Sequence, residues 1–366
     1  MNTIDLALKL IEFESTLSNP SETKKLLNFV EQYVDQNTNC NLQIEKFTHN
    51  EFETLIISTK STKNPKLTFY AHLDVVAGPS KCFKPFTKDG ILFGRGAGDM
   101  KGPAASMINA FIQIVNQNPN LDICLLLPTD EESGGHNCIK PLLDTYGFRT
   151  DCVIMPDSGS GLDTIITNQK GIIFTEITFH GISSHGSRPW QGNSAIQMLF
   201  DYAKNFQENF PKTQSEYFST ANPSIISGGE AFNSVAEHAK LTLDIRTANI
   251  DDHKQVIELL KSMDSDIIKH QNKFIDAAFE VSNQHPYLLL AKQVTEKIIG
   301  KPVEFKKEHG GSDGRFFQNY QIPCIVNGVD KKHSHGENEQ SSIQEIHQLE
   351  EITIEFTKQF FSKANQ

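Results

Sequence analysis

The chain has no dense stripe of lysine or arginine. Its 34 Lys and Arg stand against 45 Asp and Glu, a formal net charge of −11 over 366 residues. A nucleic-acid partner needs a basic face to neutralise phosphates, so the balance argues against one. No apolar run approaches the roughly 20 residues that cross a bilayer. The opening MNTIDLALKLIEFES lacks both a basic n-region and a long uncharged core, and is read as an amphipathic helix rather than a signal peptide. Cysteine is sparse: Cys40, Cys82, Cys124, Cys138, Cys152 and Cys324 are scattered with no CxxC pair. That pattern predicts reduced, mostly buried thiols in a cytoplasmic protein. No GxSxG elbow occurs, and DSGSG has the wrong spacing, which argues against a serine hydrolase. The glycine-rich GRGAGDMKG lacks the GxxxxGK[ST] spacing of a phosphate loop. Repeats and low-complexity tracts are absent too.

What is present is an ordinary globular composition, 38% hydrophobic and 22% charged, in a chain long enough for more than one domain. PSETKKLLNFVEQYV reads as a helix capped by Ser21, and NLQIEKF and ETLIIST as strands. KLTFYAHLDVV, LDICLLLPTDE and CVIMPDSG read as buried strands, separated by a helix over KGPAASMINAFIQIV with Pro103 in its first turn. Strand, helix, strand with unbroken apolar strands predicts an α/β fold. The expected sheet is mixed and mostly parallel, with helices on both faces. From about Gly171 the strands alternate as half-exposed ones do, and after about residue 281 the buried pattern returns. The expected organisation is therefore a main domain of residues 1–170 and 281–366, interrupted by an α+β domain over 171–280.

Polar residues collect where the apolar strands end. His72 and Asp74 follow the first; on a strand, two residues apart, they share a face. Asp130, Glu131 and Glu132 follow the second, Asp157 the third, and Asp99 lies in the glycine-rich loop between. HSHGENE adds His333, His335, Glu337 and Glu339 near the end of the chain. Ligands of parallel α/β sheets bind beyond these strand ends. Each residue alone has an ordinary explanation: a strand histidine as a rim residue, paired glutamates as a solvated helix start. Two imidazoles and three or more carboxylates converging there would repel one another without a cation. Imidazole plus carboxylate suits zinc, cobalt or manganese. A carboxylate bridging two ions makes a two-metal hydrolytic site, and an adjacent unligated carboxylate can take a proton from water and pass it to a leaving amine. The doubled Glu131-Glu132 suits that division of labour.

AHLDVV, LFGRGAGDMKG, TDEESGG, GISSHGSRP, LTLDIR, GGSDGRFF and HGENE occur in order over nearly the whole chain. In these motifs the sequence resembles the co-catalytic zinc aminoacylase/carboxypeptidase family. The resemblance implies two divalent ions, zinc first and cobalt or manganese as alternatives. It implies His72 and Asp157 on one ion, Glu132 and His335 on the other, and Asp99 bridging. His335 rather than His333 is implied because the family ligand stands four residues before a glutamate, here Glu339. Glu131 is the implied general base and Asp74 the group that orients His72. A cis peptide is implied after Asp99. The inserted segment resembles a lid and dimerisation domain, with His185 as oxyanion donor, Asn233 and Arg246 on a substrate carboxylate, and Gly311 and Ser312 as further substrate contacts. The implied substrate is an N-acyl amino acid of the N-succinyl-diaminopimelate or N-acetylornithine type, and the implied assembly a homodimer. Asp157, where many deacylases of the family carry glutamate, points instead to an exopeptidase, a dipeptidase or carboxypeptidase, using the same ions. A non-catalytic relative would have lost a ligand or the base, and all are present.

Overall fold

The computed structural model describes residues 1–211 and 217–363, which form two compact units. The first comprises Met1–Thr167, Val281–Lys306 and Ser312–Gln366, the second Asn168–Glu280 and Lys307–Gly311. Each is built around its own sheet.

In the first unit, Leu67–Tyr70, Ile123–Leu127 and Cys152–Met155 are buried at every residue. Apolar runs of this kind demand cover on both faces. Leu67–Tyr70 is central, parallel to Ile123–Leu127 on one side and to Cys152–Met155 on the other. Cys324–Val326 adds a further parallel strand beyond Cys152–Met155. The flanks are antiparallel: Phe52–Ser58 pairs Ile123–Leu127, Gln43–His49 pairs Phe52–Ser58, and Thr164–Gln169 meets Cys324–Val326 through Ile166 and Val326. Helix Lys101–Gln117 is buried along most of its length, packed against helices Thr3–Ile11 and Ile343–Lys363. Its small Ser106 donates to the Ile346 carbonyl at 2.6 Å, so the chain's first and last thirds are pinned together.

Two local readings need correction. The helix Pro20–Asn37 is preceded by Asn19 at the cap position, with no side-chain capping bond, and Ser21 lies inside its first turn. Proline is pre-set for the first helical position, and that moves the start ahead of Ser21. The strand expected through Val76 ends at Tyr70. Ala71 and Leu73 still donate to the Leu126 and Pro128 carbonyls, so His72 and Asp74 sit on an extended continuation. Pro128 has no N–H to return, which ends the ladder there.

The second unit holds an antiparallel sheet in the order Thr220–Gly228, His238–Thr247, Gly171–His180, Ile268–Asp276. Gly171–His180 alternates buried and half-buried residues, as a sheet covered on one face must. Ile173, Ile177 and Phe179 form a core with Leu199, Tyr202 and Phe206 of helix Ala195–Gln207 and with Leu260 of helix Ile250–Ser262. Ser194 and Asn249 cap these helices by accepting from Gln197 and Asp252 N–H groups.

Candidate metal centre

His72 follows Leu67–Tyr70, Glu131 and Glu132 form a short turn after Ile123–Leu127, and Asp157 lies just past Cys152–Met155. All three strands are parallel neighbours, so these side chains gather at one sheet end. Asp99 and His335 arrive on two loops that are fastened to each other. Ile91–Phe93 runs antiparallel to Gln340–Ser342, which brings Glu339 beside the glycine-rich loop following Phe93. Glu339 Oε1 accepts the N–H groups of Gly96, Gly98 and Asp99 at 3.0, 3.3 and 3.1 Å. Its Oε2 accepts from Arg95 Nη1 at 2.6 Å, and Arg95 Nη2 donates to the His335 carbonyl at 3.0 Å. One buried ion pair therefore sets both loops. Gly96, at φ +90°, adopts a backbone region that favours glycine, and a Cβ there would press on Lys101 and Val75. The Asp99–Met100 peptide is cis.

Two groups of potential ligands lie close enough to hold ions: His72, Asp99 and Asp157, and Asp99, Glu132 and His335. Asp99 belongs to both. Its Oδ1 is 3.3 Å from His72 Nε2, and its Oδ2 is 3.4 Å from His335 Nε2. His335 Nε2 also lies 3.2 Å from Glu132 Oε2. Glu131 is in neither group, but its Oε2 is 3.9 Å from His72 Nε2. His333 takes no part in either; both it and His335 have positive φ, at 56° and 64°.

Asp74 holds two things at once. Its main-chain carbonyl is 3.0 Å from His72 Nδ1, and its carboxylate 3.5 Å, which leaves Nε2 to face Asp99. The same carboxylate accepts the N–H groups of Glu131 and Glu132 at 3.3 and 3.0 Å, fixing the paired glutamates.

Burial disfavours a charged His72, yet its hydrogen bonds to Asp74 and Asp99 raise its pKa well above the usual value. Hydrogen bonds to Asp99 and Glu132 push His335 up to about 10. Burial first, and the nearby Asp157 charge second, raise the Glu131 carboxyl well above the carboxylate range. Glu132 Oε1 and Asp157 Oδ2, one oxygen from each group, are buried without a hydrogen-bond partner among the described residues. Stranded carboxylate oxygens are costly. Divalent cations between these donors would satisfy them, and the nitrogen-and-oxygen donor set fits such ions.

The remaining sequence candidates belong to neither ligand group. Gly311 belongs to the second unit and Ser312 to the first. Ser312 is fully buried, its hydroxyl accepting from Gly314 N–H at 3.3 Å. Next to it, Tyr70 donates to Asp313 Oδ2 at 2.8 Å, and burial pushes the Asp313 carboxyl up to about 7. In the second unit His185 is exposed, and its ring engages Ser187 Oγ at 2.8 Å. The Gly186 N–H donates to the Asn233 carbonyl at 2.8 Å, so His185 and Asn233 share one loop pair. Arg246 lies elsewhere on that sheet. It is opposite Ile172, whereas the loop of His185 follows His180 opposite His238, and eight strand residues separate the two ends by roughly 26 Å. Its guanidinium is held by Asp244 at 2.8 Å and lies over Phe174.

Sequence reasoning overlooked Arg95 as the link between loops and Lys331 altogether. Lys331 Nζ lies 2.8 Å from Asp99 Oδ1 and 2.6 Å from Asp157 Oδ1. In DKKHSH it reads as one of two solvated lysines, and its neighbour Lys332 is indeed exposed.

The model of peptidase family M20/M25/M40 matches residues 68–359. A succinyl-diaminopimelate desuccinylase of Ehrlichia canis is 26% identical, over 82% of this chain and 83% of that protein. Among solved structures, a tripeptidase of Staphylococcus aureus superposes with a TM-score of 0.77 at 21% identity, covering 97% of both chains. A Bacillus subtilis protein described as a dinuclear metal binding peptidase superposes with a TM-score of 0.70 at 15% identity, covering 97% of this chain and 96% of that one. At these identities the structures speak to the fold alone, a mixed α/β fold shared across their length.

Proposed function

The chain belongs to peptidase family M20/M25/M40, and from that premise we propose that it is a metal-dependent amidohydrolase that removes the acyl group of an N-acyl amino acid of the N-succinyl-diaminopimelate or N-acetylornithine type. The observation that carries the reading is the pair of ligand groups sharing Asp99, with Glu131 beside them and outside both. His72 and Asp157 would hold one ion, Glu132 and His335 a second, and Asp99 both. Zinc suits this donor set, with cobalt or manganese as substitutes. Bound cations supply a polarised water and a Lewis acid for the amide carbonyl. Glu131 would serve as the general base, taking a proton from water and returning it to the departing amine. Burial first, and the Asp157 charge second, favour the protonated form of its carboxyl, the direction that suits a group which must hold a proton in transit. Asp74 keeps the His72 ring and the Glu131 backbone in register.

Arg246 and Asn233 would hold a substrate carboxylate and His185 the developing oxyanion, where one donor is commonly worth about 3–4 kcal/mol. Gly311 and Ser312 would line the same substrate. Because Arg246 lies toward the opposite end of the sheet from the loop pair of His185 and Asn233, a homodimer in which the second copy supplies both His185 and Asn233 fits better than a single chain. The strand Thr220–Gly228 is a sheet edge with Ile225 and Ile226 exposed, a surface suited to such pairing. The apolar face of helix Ala195–Gln207 packs on its own sheet and leaves only Phe200 outward. All six cysteines are free thiols, in keeping with a cytoplasmic setting.

Asp157 in the first ligand group favours a second reading, an exopeptidase acting on dipeptides. A panel of N-succinyl, N-acetyl and dipeptide substrates with added zinc or manganese separates the two; cleavage of dipeptides alone would refute the deacylase. Glu131→Ala should lower turnover by about 10²–10⁴-fold with metal content intact. If the ions are lost instead, Glu131 and Glu132 have exchanged roles.

A further inference from the structure

The donor set is not symmetric, because the chain already places a cation of its own in one half of it. Lys331 Nζ donates to Asp99 Oδ1 at 2.8 Å and to Asp157 Oδ1 at 2.6 Å, two of the three members of the His72 group. The side chain is only 10% exposed, and neither carboxylate is more than 13% exposed. Its stem is confined as well. A Cβ on Gly98 would stand 3.1 Å from Lys331 Cα and 3.4 Å from its Cβ and Cγ, and one on Gly159 would stand 3.6–3.8 Å from the same stem. Lysine 331 thus runs through a slot that two glycines leave open, toward a point between two acids. The other group differs. Among the described residues, Asp99 Oδ2, the Glu132 carboxylate and the His335 ring meet no lysine or arginine side chain; the additional contact there is the Ser334 hydroxyl, donating to Asp99 Oδ2 at 3.0 Å.

Resting on the proposed metal-dependent function, we infer that Lys331 is an internal ammonium that stands in for one of the two ions. The protein then holds a single divalent ion tightly, at Asp99, Glu132 and His335. A second enters the His72, Asp99 and Asp157 group only by displacing the lysine. Charge balance favours this: the ammonium contributes one positive charge to two buried carboxylates with good hydrogen-bond geometry, as a buried ion pair must to persist. An ion that binds only when the lysine has left has its affinity reduced by the fraction of chains in which the slot is vacated.

The test is metal stoichiometry on the full chain. Protein stripped with chelator is titrated with Zn²⁺ by calorimetry, and its metal content is read after gel filtration. Wild type should take up one ion tightly and a second at least about tenfold more weakly. Lys331→Met keeps an apolar stem in the slot, removes the ammonium, and should bring the two affinities together. Asp157→Asn lies outside the tight group and should keep its one ion, which provides an arm that does not depend on the lysine variant folding. Two ions of equal affinity in wild type, an unchanged second affinity in Lys331→Met, or loss of the tight ion in Asp157→Asn would each overturn the inference while leaving the hydrolase reading in place. A wild-type chain that binds no divalent ion overturns both.

Discussion

Replacing Glu339 with glutamine tests how the two ligand-bearing loops are held. The side chain is 1% exposed and its partner Arg95 is 2% exposed. Glutamine keeps an oxygen for the N–H groups of Gly96, Gly98 and Asp99 but turns an amide nitrogen toward Arg95 Nη1, formerly 2.6 Å from a carboxylate. The guanidinium is left buried with two carbonyls, Ala77 at 3.4 Å and His335 at 3.0 Å, and with Nε unpartnered. Removing one member of a buried pair typically costs about 3–5 kcal/mol, because a charge remains without compensation. For a unit of roughly 250 residues that is a fall in Tm on the order of 10 °C. Burial pushes the Glu339 carboxyl up while Arg95 pulls it back, so the intact pair positions the loops and adds little net stability. It follows that Arg95→Met in the Glu339→Gln background should recover part of the loss by removing the orphaned charge. Urea unfolding of wild type, both single variants and the double gives the coupling. Additive losses, or a Glu339→Gln protein within about 1 kcal/mol of wild type, would refute the account.

Two further outcomes follow from the geometry. His335→Ala should lower zinc occupancy measured by elemental analysis far more than His333→Ala, since only His335 reaches Asp99 and Glu132; the reverse order would reassign the ligand. Asp313 has a folded pKa of about 7, above its ordinary value, so its neutral form is the one the fold prefers. Its contribution is complete below about pH 4 and is lost as pH rises through about 7, on the order of a few kcal/mol in all. Asp313→Asn should flatten the fall in stability between pH 4 and 7 relative to wild type. An identical profile for the two would show that the carboxyl ionises freely.

Much of this molecule is written along the chain. Unbroken apolar runs ending in His72, Asp130–Glu132 and Asp157 can only be buried strands with polar tips, and burial on both faces makes a parallel α/β sheet the economical arrangement. The ordered motifs pointed to the family that the comparison then matched over most of the chain. Local patterns were less informative where a neighbour decides. Proline rather than Ser21 starts its helix, and Pro128 on the adjacent strand ends the ladder after Tyr70.

The sequence by itself determined which donors exist and which strand ends carry them, because side-chain chemistry and the two-residue period of a strand are local properties. The folded structure alone decided which charges face one another across long separations. Arg95 meets Glu339 only because Ile91–Phe93 pairs with Gln340–Ser342. Lys331 and Lys332 are identical as letters, yet one lies exposed and the other is threaded between Gly98 and Gly159 onto two acids. A lysine's charge matters by its distance from buried carboxylates, and that distance is set by packing rather than by position in the chain.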